Sequence, residues 1–132
     1  MTDLLSGKQK TGTAELHMGF VDVRDVAKAH IYCVENKASG RHILAERVTD
    51  MLSFVHIIGK LYGNRYKLPK SYLLKWLLGL IGGLFGLSSE FVKKNVGIPM
   101  KLDASKSIEK LKLSYIPLDQ TVKDMVDQIA SS

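Results

Sequence analysis

At 132 residues, with 45% hydrophobic and 24% charged residues, the chain has the length and make-up of one soluble globular domain and is unlike a disordered segment. Nineteen Lys and Arg against thirteen Asp and Glu leave a net charge of +6. The cations are dispersed, and the densest stretch, Lys101 to Lys112, is broken by Asp103 and Glu109 without interleaved aromatic residues, so the pattern reads as a solvated face and argues against a nucleic-acid partner. A lone Cys33 cannot form an intrachain disulfide, and MTDLLSGKQKTG at the N-terminus has no apolar signal-peptide core, so a cytoplasmic setting is expected.

In chain order, Phe20 to Val23 is a β-favouring run, and Asp25 is placed to cap a helix reaching about Asn36. Ala27, Ile31 and Val34 form one apolar stripe on this helix and Val26, His30 and Cys33 a second, predicting burial on more than one side. Lys37 to Gly40 is turn material, and Arg41 to Ala45 reads as a strand. Asp50 can cap the next helix, whose Met51, Phe54, Val55, Ile58, Leu61 and Tyr62 follow helical spacing until Gly63-Asn64 ends it. Tyr66 to Leu68 suggests a third strand stopped by Pro69, and Ser71 to Leu87 an apolar helix interrupted by glycine. A short helix is expected from near Asp103 to Leu111, and a last one capped by Asp119 with Val122, Met125, Val126 and Ile129 on one face. Alternating strands and helices predict an α/β class with a few short strands and about five helices, too few strands for a self-contained, doubly covered sheet.

Three segments carry a family resemblance. Gly19 to Glu35 reads GFVDVRDVAKAHIYCVE, Gly40 to Leu44 reads GRHIL, and Asp103 to Leu113 reads DASKSIEKLKL, followed by Tyr115 and Pro117. In this order and spacing they resemble the C-terminal half of the extended short-chain dehydrogenase/reductases, the NAD-dependent epimerase/dehydratase group, in its dihydroflavonol reductase-like branch. The resemblance implies a partial Rossmann-like, substrate-binding portion, with residues 1–132 forming a single unit. The dinucleotide-binding part and the Tyr-x-x-x-Lys pair would belong to preceding sequence. It further implies NAD or NADP and a small carbonyl or alcohol substrate in the intact enzyme, and no cofactor on this chain alone. His17, Met18 and Phe20 are expected to line the substrate pocket. The resemblance assigns no catalytic, cofactor-binding or metal residue here, and the isolated chain is expected to be inactive. The pattern departs from the family at Lys112, where glycine is usual, so a different turn is expected there.

Other sources of chemistry fail on spacing or context. The glycines of GLIGGLFG, Gly79 to Gly86, lack both the fingerprint's spacing and a preceding strand, and suit close helix packing better. Tyr66 and Lys70 match Tyr-x-x-x-Lys literally, but Pro69 breaks the helical turn that the pair needs, and Tyr72 and Lys75 are one position too close. His30 and Cys33 supply only two ligands, and His17, His42 and His56 have no zinc spacing around them. Trp76 to Leu87 is uncharged but too short to span a bilayer. It reads as a buried helix, with a peripheral membrane contact as the competing reading. A stand-alone, self-associating interaction module derived from the same family is the alternative function, supported by the apolar helix after Ser71.

Overall fold

The computed structural model describes residues 2–7, 11–81 and 88–131. Among them run α1 (Thr2–Leu5), β1 (His17–Phe20), α2 (Val23–Glu35), β2 (Arg47–Asp50), α3 (Met51–Tyr62), a 3-10 turn (Gly63–Arg65), α4 (Lys75–Ile81), α5 (Ser89–Asn95), α6 (Ser105–Leu111) and α7 (Leu118–Ala130). The class is α/β, as the alternation predicts. β1 and β2 are hydrogen-bonded neighbours in a two-stranded sheet. The chain divides into two compact units, one formed by Met1–Met18 with Thr49–Pro99, the other by Gly19–Val48 with Met100–Ser132. The division falls within each strand.

In the first unit, Asp50 caps α3 as its position predicts. One carboxylate oxygen accepts the Leu52 and Ser53 backbone N–H groups at 2.8 and 2.9 Å, and the other accepts the Ser53 hydroxyl at 2.6 Å. Phe54, Val55 and Ile58 are buried along one side of α3, and Gly63 ends it at a φ of 57° that favours glycine. A second cluster joins Leu78 of α4 to Val92 and Val96 at the end of α5, with Ala14 and Leu73 packed on it. Two isolated bridges, Thr13 with Tyr72 and Leu16 with Val96, tie the N-terminal segment to these elements.

In the second unit, Ala29 of α2, Leu111 of α6 and Leu113 form a cluster flanked by Tyr32, Cys33, Ala38, Leu44 and Tyr115. Leu118, Val122 and Val126, four residues apart, are the buried line of α7. Lys106 donates to the Arg41 carbonyl at 3.1 Å, and Ser107 is buried between the Ala104 carbonyl and the Tyr115 hydroxyl.

Several expectations are corrected. The strand at Phe20–Val23 begins earlier, at His17, because Asp22 already opens the helix. Arg41–Leu44 alternates exposed and half-buried residues before the buried Ala45, but acquires no ladder partner among the described residues; the Glu46 N–H bonds to the Phe20 carbonyl at 2.8 Å and the strand itself starts at Arg47. Tyr66–Leu68 forms no strand, since the 3-10 turn runs to Arg65 and Leu68 hydrogen-bonds back to Tyr66. α2 is not buried on several sides. Asp25 and Ala29 face the interior, whereas Val23, Ile31 and Val34 lie on an exposed side, Val34 being 79% exposed. Neither Asp25 nor Asp119 is a cap; each lies in the first turn of its helix, behind Asp22 and Pro117 respectively. The apolar run from Ser71 is helical from Lys75 to Ile81 only, and its glycines Gly82, Gly83 and Gly86 lie outside the described residues.

Lys112 corrects the last expectation. It occupies the left-handed position after α6, with φ 53° and ψ 38°, so the turn keeps its form despite the absent glycine. A non-glycine residue there costs about 1 kcal/mol of steric strain, partly offset by the greater unfolded-state freedom of glycine. Lys112→Gly is therefore expected to stabilise the chain by about 0.5 kcal/mol, read as a rise in the urea midpoint at constant slope.

Candidate functional site

The segment Phe20-Val21-Asp22-Val23-Arg24-Asp25 turns β1 into α2, and its polar residues converge on the C-terminal segment of the same unit. Asp22 is the N-cap, in extended backbone at φ −71° and ψ 137°, with its carboxylate accepting the Arg24 N–H at 2.8 Å. The Arg24 guanidinium grips the same carboxylate in a fork, Nε to one oxygen at 2.8 Å and Nη2 to the other at 2.7 Å. Thr121 of α7 donates its hydroxyl to the second oxygen at 2.7 Å. Arg24 also reaches Asp124, one turn along α7, at 2.7 Å. Asp25, fully buried, accepts the Ile116 backbone N–H at 2.7 Å and has the Lys28 ammonium 3.4 Å from its other oxygen.

These contacts decide the chemistry. The Arg24 hydrogen bonds, helped by Thr121 and opposed by burial, hold the Asp22 carboxyl well below the usual carboxylate range. Its charge is permanent near neutrality and its lone pairs are occupied, so it is a brace rather than a proton-transfer group. Each oxygen of Asp25 also has a partner, Ile116 on one and Lys28 on the other. The sequence does not indicate the distant partners, Thr121 for Asp22, Ile116 for Asp25 and Asp124 for Arg24. The available signal was a pair of acids bracketing an arginine, and nothing local indicates which distant residues they meet.

His17, Met18 and Phe20 all lie in β1 and are each half-buried. Alternation along the strand puts Met18 and Phe20 on one face and His17 on the other. His17 Nδ1 is buried without a hydrogen-bond partner among the described residues, as is His42 Nε2. A cavity of about 380 Å³ in the first unit, lined by His56, Gly59, Asn64, Tyr66, Pro69 and Lys70 among others, includes none of the three.

Among the described residues, the two tyrosine–lysine pairs nearest the family's spacing do not fit a nicotinamide cofactor. Tyr66 sits in extended backbone at φ −114° and ψ 144°, packed edge-on against Tyr62 with the rings 5.8 Å apart, and irregular chain with a buried Pro69 separates it from Lys70. Tyr72 donates to Asp50 at 2.6 Å, and burial together with that carboxylate pushes its phenol up to about 12, opposite to what proton transfer near neutrality requires. Lys75 donates instead to the Val96 carbonyl at 2.7 Å. His30 is bonded within its helix to the Val26 carbonyl, Cys33 packs on the Ala29 cluster, and no group of three or more metal-ligating side chains occurs among the described residues.

The Asp22 brace gives a stability prediction. Asp22→Ala removes the cap and the acceptor shared by Thr121 and Arg24, leaving Arg24 only Asp124, which is expected to cost about 2 kcal/mol in urea unfolding. Because the folded carboxyl titrates below its ordinary value of 3.8, the stabilisation is complete above about pH 4 and is lost as pH falls toward the folded value. The gap between the native chain and Asp22→Asn should therefore be full at neutrality and narrow on acidification.

No family model matches the chain. It is 30% identical over 128 residues to cinnamoyl-CoA reductase CAD2 of Medicago truncatula, a match covering 96% of this chain and 32% of that protein. Over 66 residues it is 46% identical to cinnamoyl-CoA reductase 1 of Arabidopsis thaliana, covering 49% of this chain and 19% of that one. Among solved structures, gox2253 superposes with a TM-score of 0.75 at 21% identity, over 98% of this chain and 42% of its own. Gre2 of Candida albicans, solved in complex with NADPH, superposes with a TM-score of 0.61 at 25% identity, over 99% of this chain and 36% of its own. The chain thus spans about a third of the length of the first of these curated relatives. Sequence shared along nearly all of this chain, over about a third of the relative's length, and a shared fold lead to one conclusion: the chain corresponds to a segment of the extended short-chain dehydrogenase/reductase family.

Proposed function

We propose that this chain is the C-terminal, substrate-side portion of an NAD(P)-dependent oxidoreductase that acts on a carbonyl or alcohol group, and that it is inactive by itself. The observation that carries the reading is the corner from β1 into α2. A strand bearing Met18 and Phe20 on one face leads into a helix whose start is braced by Asp22, Arg24 and Asp25. A pocket wall needs side chains held by rigid neighbours, and this brace provides them. In this reading Met18 and Phe20, on one face of β1, line the substrate pocket, and His17 lies on the other face of the strand. The relatives named for cinnamoyl-CoA reduction, and the NADPH complex of Gre2, support a reductase whose nucleotide site is formed by other residues than these.

The purified chain should neither oxidise NADPH nor reduce aldehydes or thioesters, and turnover would overturn the proposal. Grafted in place of the matching third of the Medicago reductase, residues 16–129 should preserve NADPH binding by fluorescence titration. Phe20→Ala in that chimera should raise KM with little change in NADPH affinity; an unchanged KM would remove Phe20 from the pocket.

A second reading rests on α2, whose Val23, Ile31 and Val34 leave an apolar side exposed. In it, the chain is an interaction module that self-associates through this face. Sedimentation should then show a dimer at low concentration that Ile31→Asp converts to monomer, whereas a monomer throughout would remove this reading.

A further inference from the structure

The positive charge of the chain is not shared evenly. The unit formed by Met1–Met18 and Thr49–Pro99 holds nine Lys and Arg against four Asp and Glu, whereas the other unit holds ten against nine. Within the basic unit, Met51 to Ser89 contains Lys60, Arg65, Lys67, Lys70 and Lys75 and no acid. Of the acids at the two ends of that stretch, Asp50 is occupied by the α3 cap and Tyr72, and Glu90 pairs with Lys94.

The same unit presents large apolar side chains to solvent. Leu74 is 62% exposed and Trp76, the single tryptophan of the chain, is 68% exposed. α4 is not short of an interior, since Leu78 from its next turn is buried against Val92 and Val96. Leu74 and Trp76 are therefore a second, outward apolar side. The location is basic as well: Lys75 donates to the Val96 carbonyl at 2.7 Å and lies 3.5 Å from the Lys93 carbonyl, which sets the start of α4 beside the last turn of α5 with its Lys93 and Lys94.

From this juxtaposition we propose that the basic unit docks peripherally on an anionic membrane surface. Leu74 and Trp76 enter the headgroup boundary, while Lys70 and Lys93 meet lipid phosphates and carboxylates. Tryptophan suits that boundary because its ring is apolar and its N–H polar. Cations near an anionic leaflet and a few inserted apolar groups together give reversible binding, where either alone is marginal. The contact is peripheral, since no helix among the described residues is long and apolar enough to cross a membrane. Charge complementarity favours lipid over nucleic acid because the aromatic residue is followed by eleven uncharged residues to Leu87, not by alternating cations and stacking rings. The inference does not depend on the oxidoreductase reading.

The lone tryptophan makes the test direct, because its emission reports from the docking site itself. The 132-residue chain is mixed with phosphatidylcholine vesicles, with and without phosphatidylserine, and both co-sedimentation and Trp76 emission are followed. Binding to the phosphatidylserine vesicles, a blue shift of Trp76 with loss of acrylamide quenching, and weakening by salt are expected. The variant carrying Lys70→Gln and Lys93→Gln should bind at least tenfold more weakly, at about fivefold per cation. Leu74→Ser, at an exposed position, should keep the circular dichroism of the native chain and lose most of the blue shift. Failure to sediment with anionic vesicles overturns the proposal, as does sedimentation with no change at Trp76. Tighter binding to single-stranded RNA than to vesicles overturns it in favour of nucleic acid. A blue shift that grows with protein concentration without lipid overturns it in favour of a second copy.

Discussion

One buried carboxylate pair holds the second unit together. Asp22 and Asp25 are three residues apart at the start of α2, and each accepts a hydrogen bond from the C-terminal segment, Asp22 from Thr121 and Asp25 from Ile116. Removing two carboxylates from water is costly, and the cost is offset by four hydrogen bonds to Asp22 and by the Ile116 N–H and the Lys28 ammonium at Asp25. The fork of Arg24 neutralises Asp22, and the partial charge of the helix N-terminus favours both acids. The apolar cluster of Ala29, Leu111 and Leu113 supplies burial, but burial is non-directional. The acids determine where the chain must lie before α7 begins. Polar specificity set within apolar adhesion is the organising physics of this unit.

The first unit works differently. Its ties are mostly main-chain: isolated bridges at Thr13 and Leu16, and a lysine donating to carbonyls left open at the end of α5. Its one well-connected side-chain acid is Asp50, for which burial alone would raise the carboxyl, yet the hydrogen bonds from Ser53 and Tyr72 outweigh that and hold it well below the usual range. Tyr72 is thereby fixed in the protonated form. Tyr72 and Lys75, one position short of the family's proton-transfer couple, are thus both used for architecture, a reminder that a motif acts only in the backbone geometry it requires.

What was legible in the sequence follows from the range of each interaction. The cap of α3 by Asp50, its end at Gly63 and the buried line of α7 are set by residues within a turn or two of each other, and all can be read directly. The buried side of α2 could not be. Its two apolar stripes look equivalent in the sequence, and the side that turns inward is the one carrying Asp25, because Ile116 offers it a backbone N–H. Arg41–Ala45 has the composition of a strand, but strandhood depends on a neighbour, and composition does not report neighbours. Lys112 shows the reverse: a residue unsuited to the left-handed region occupies it because the packing of Leu111 and Leu113 on either side fixes the turn. The strand before α2 was legible only approximately, expected at Phe20–Val23 and found at His17–Phe20, whereas the brace at the start of α2, reaching across most of the chain, was not legible at all.

The interleaving of the two units also sets the order in which the molecule can be made. The partners of Asp25 and Asp22 lie 91 and 99 residues downstream. During synthesis at about 5–20 residues per second, those acids precede these distant partners by roughly 5–20 s. The first unit has all its segments once Pro99 has been added, whereas the second cannot close until α7 follows. Folding on the ribosome is therefore sequential by construction, and α2 is held open until the last thirty or so residues arrive to complete it.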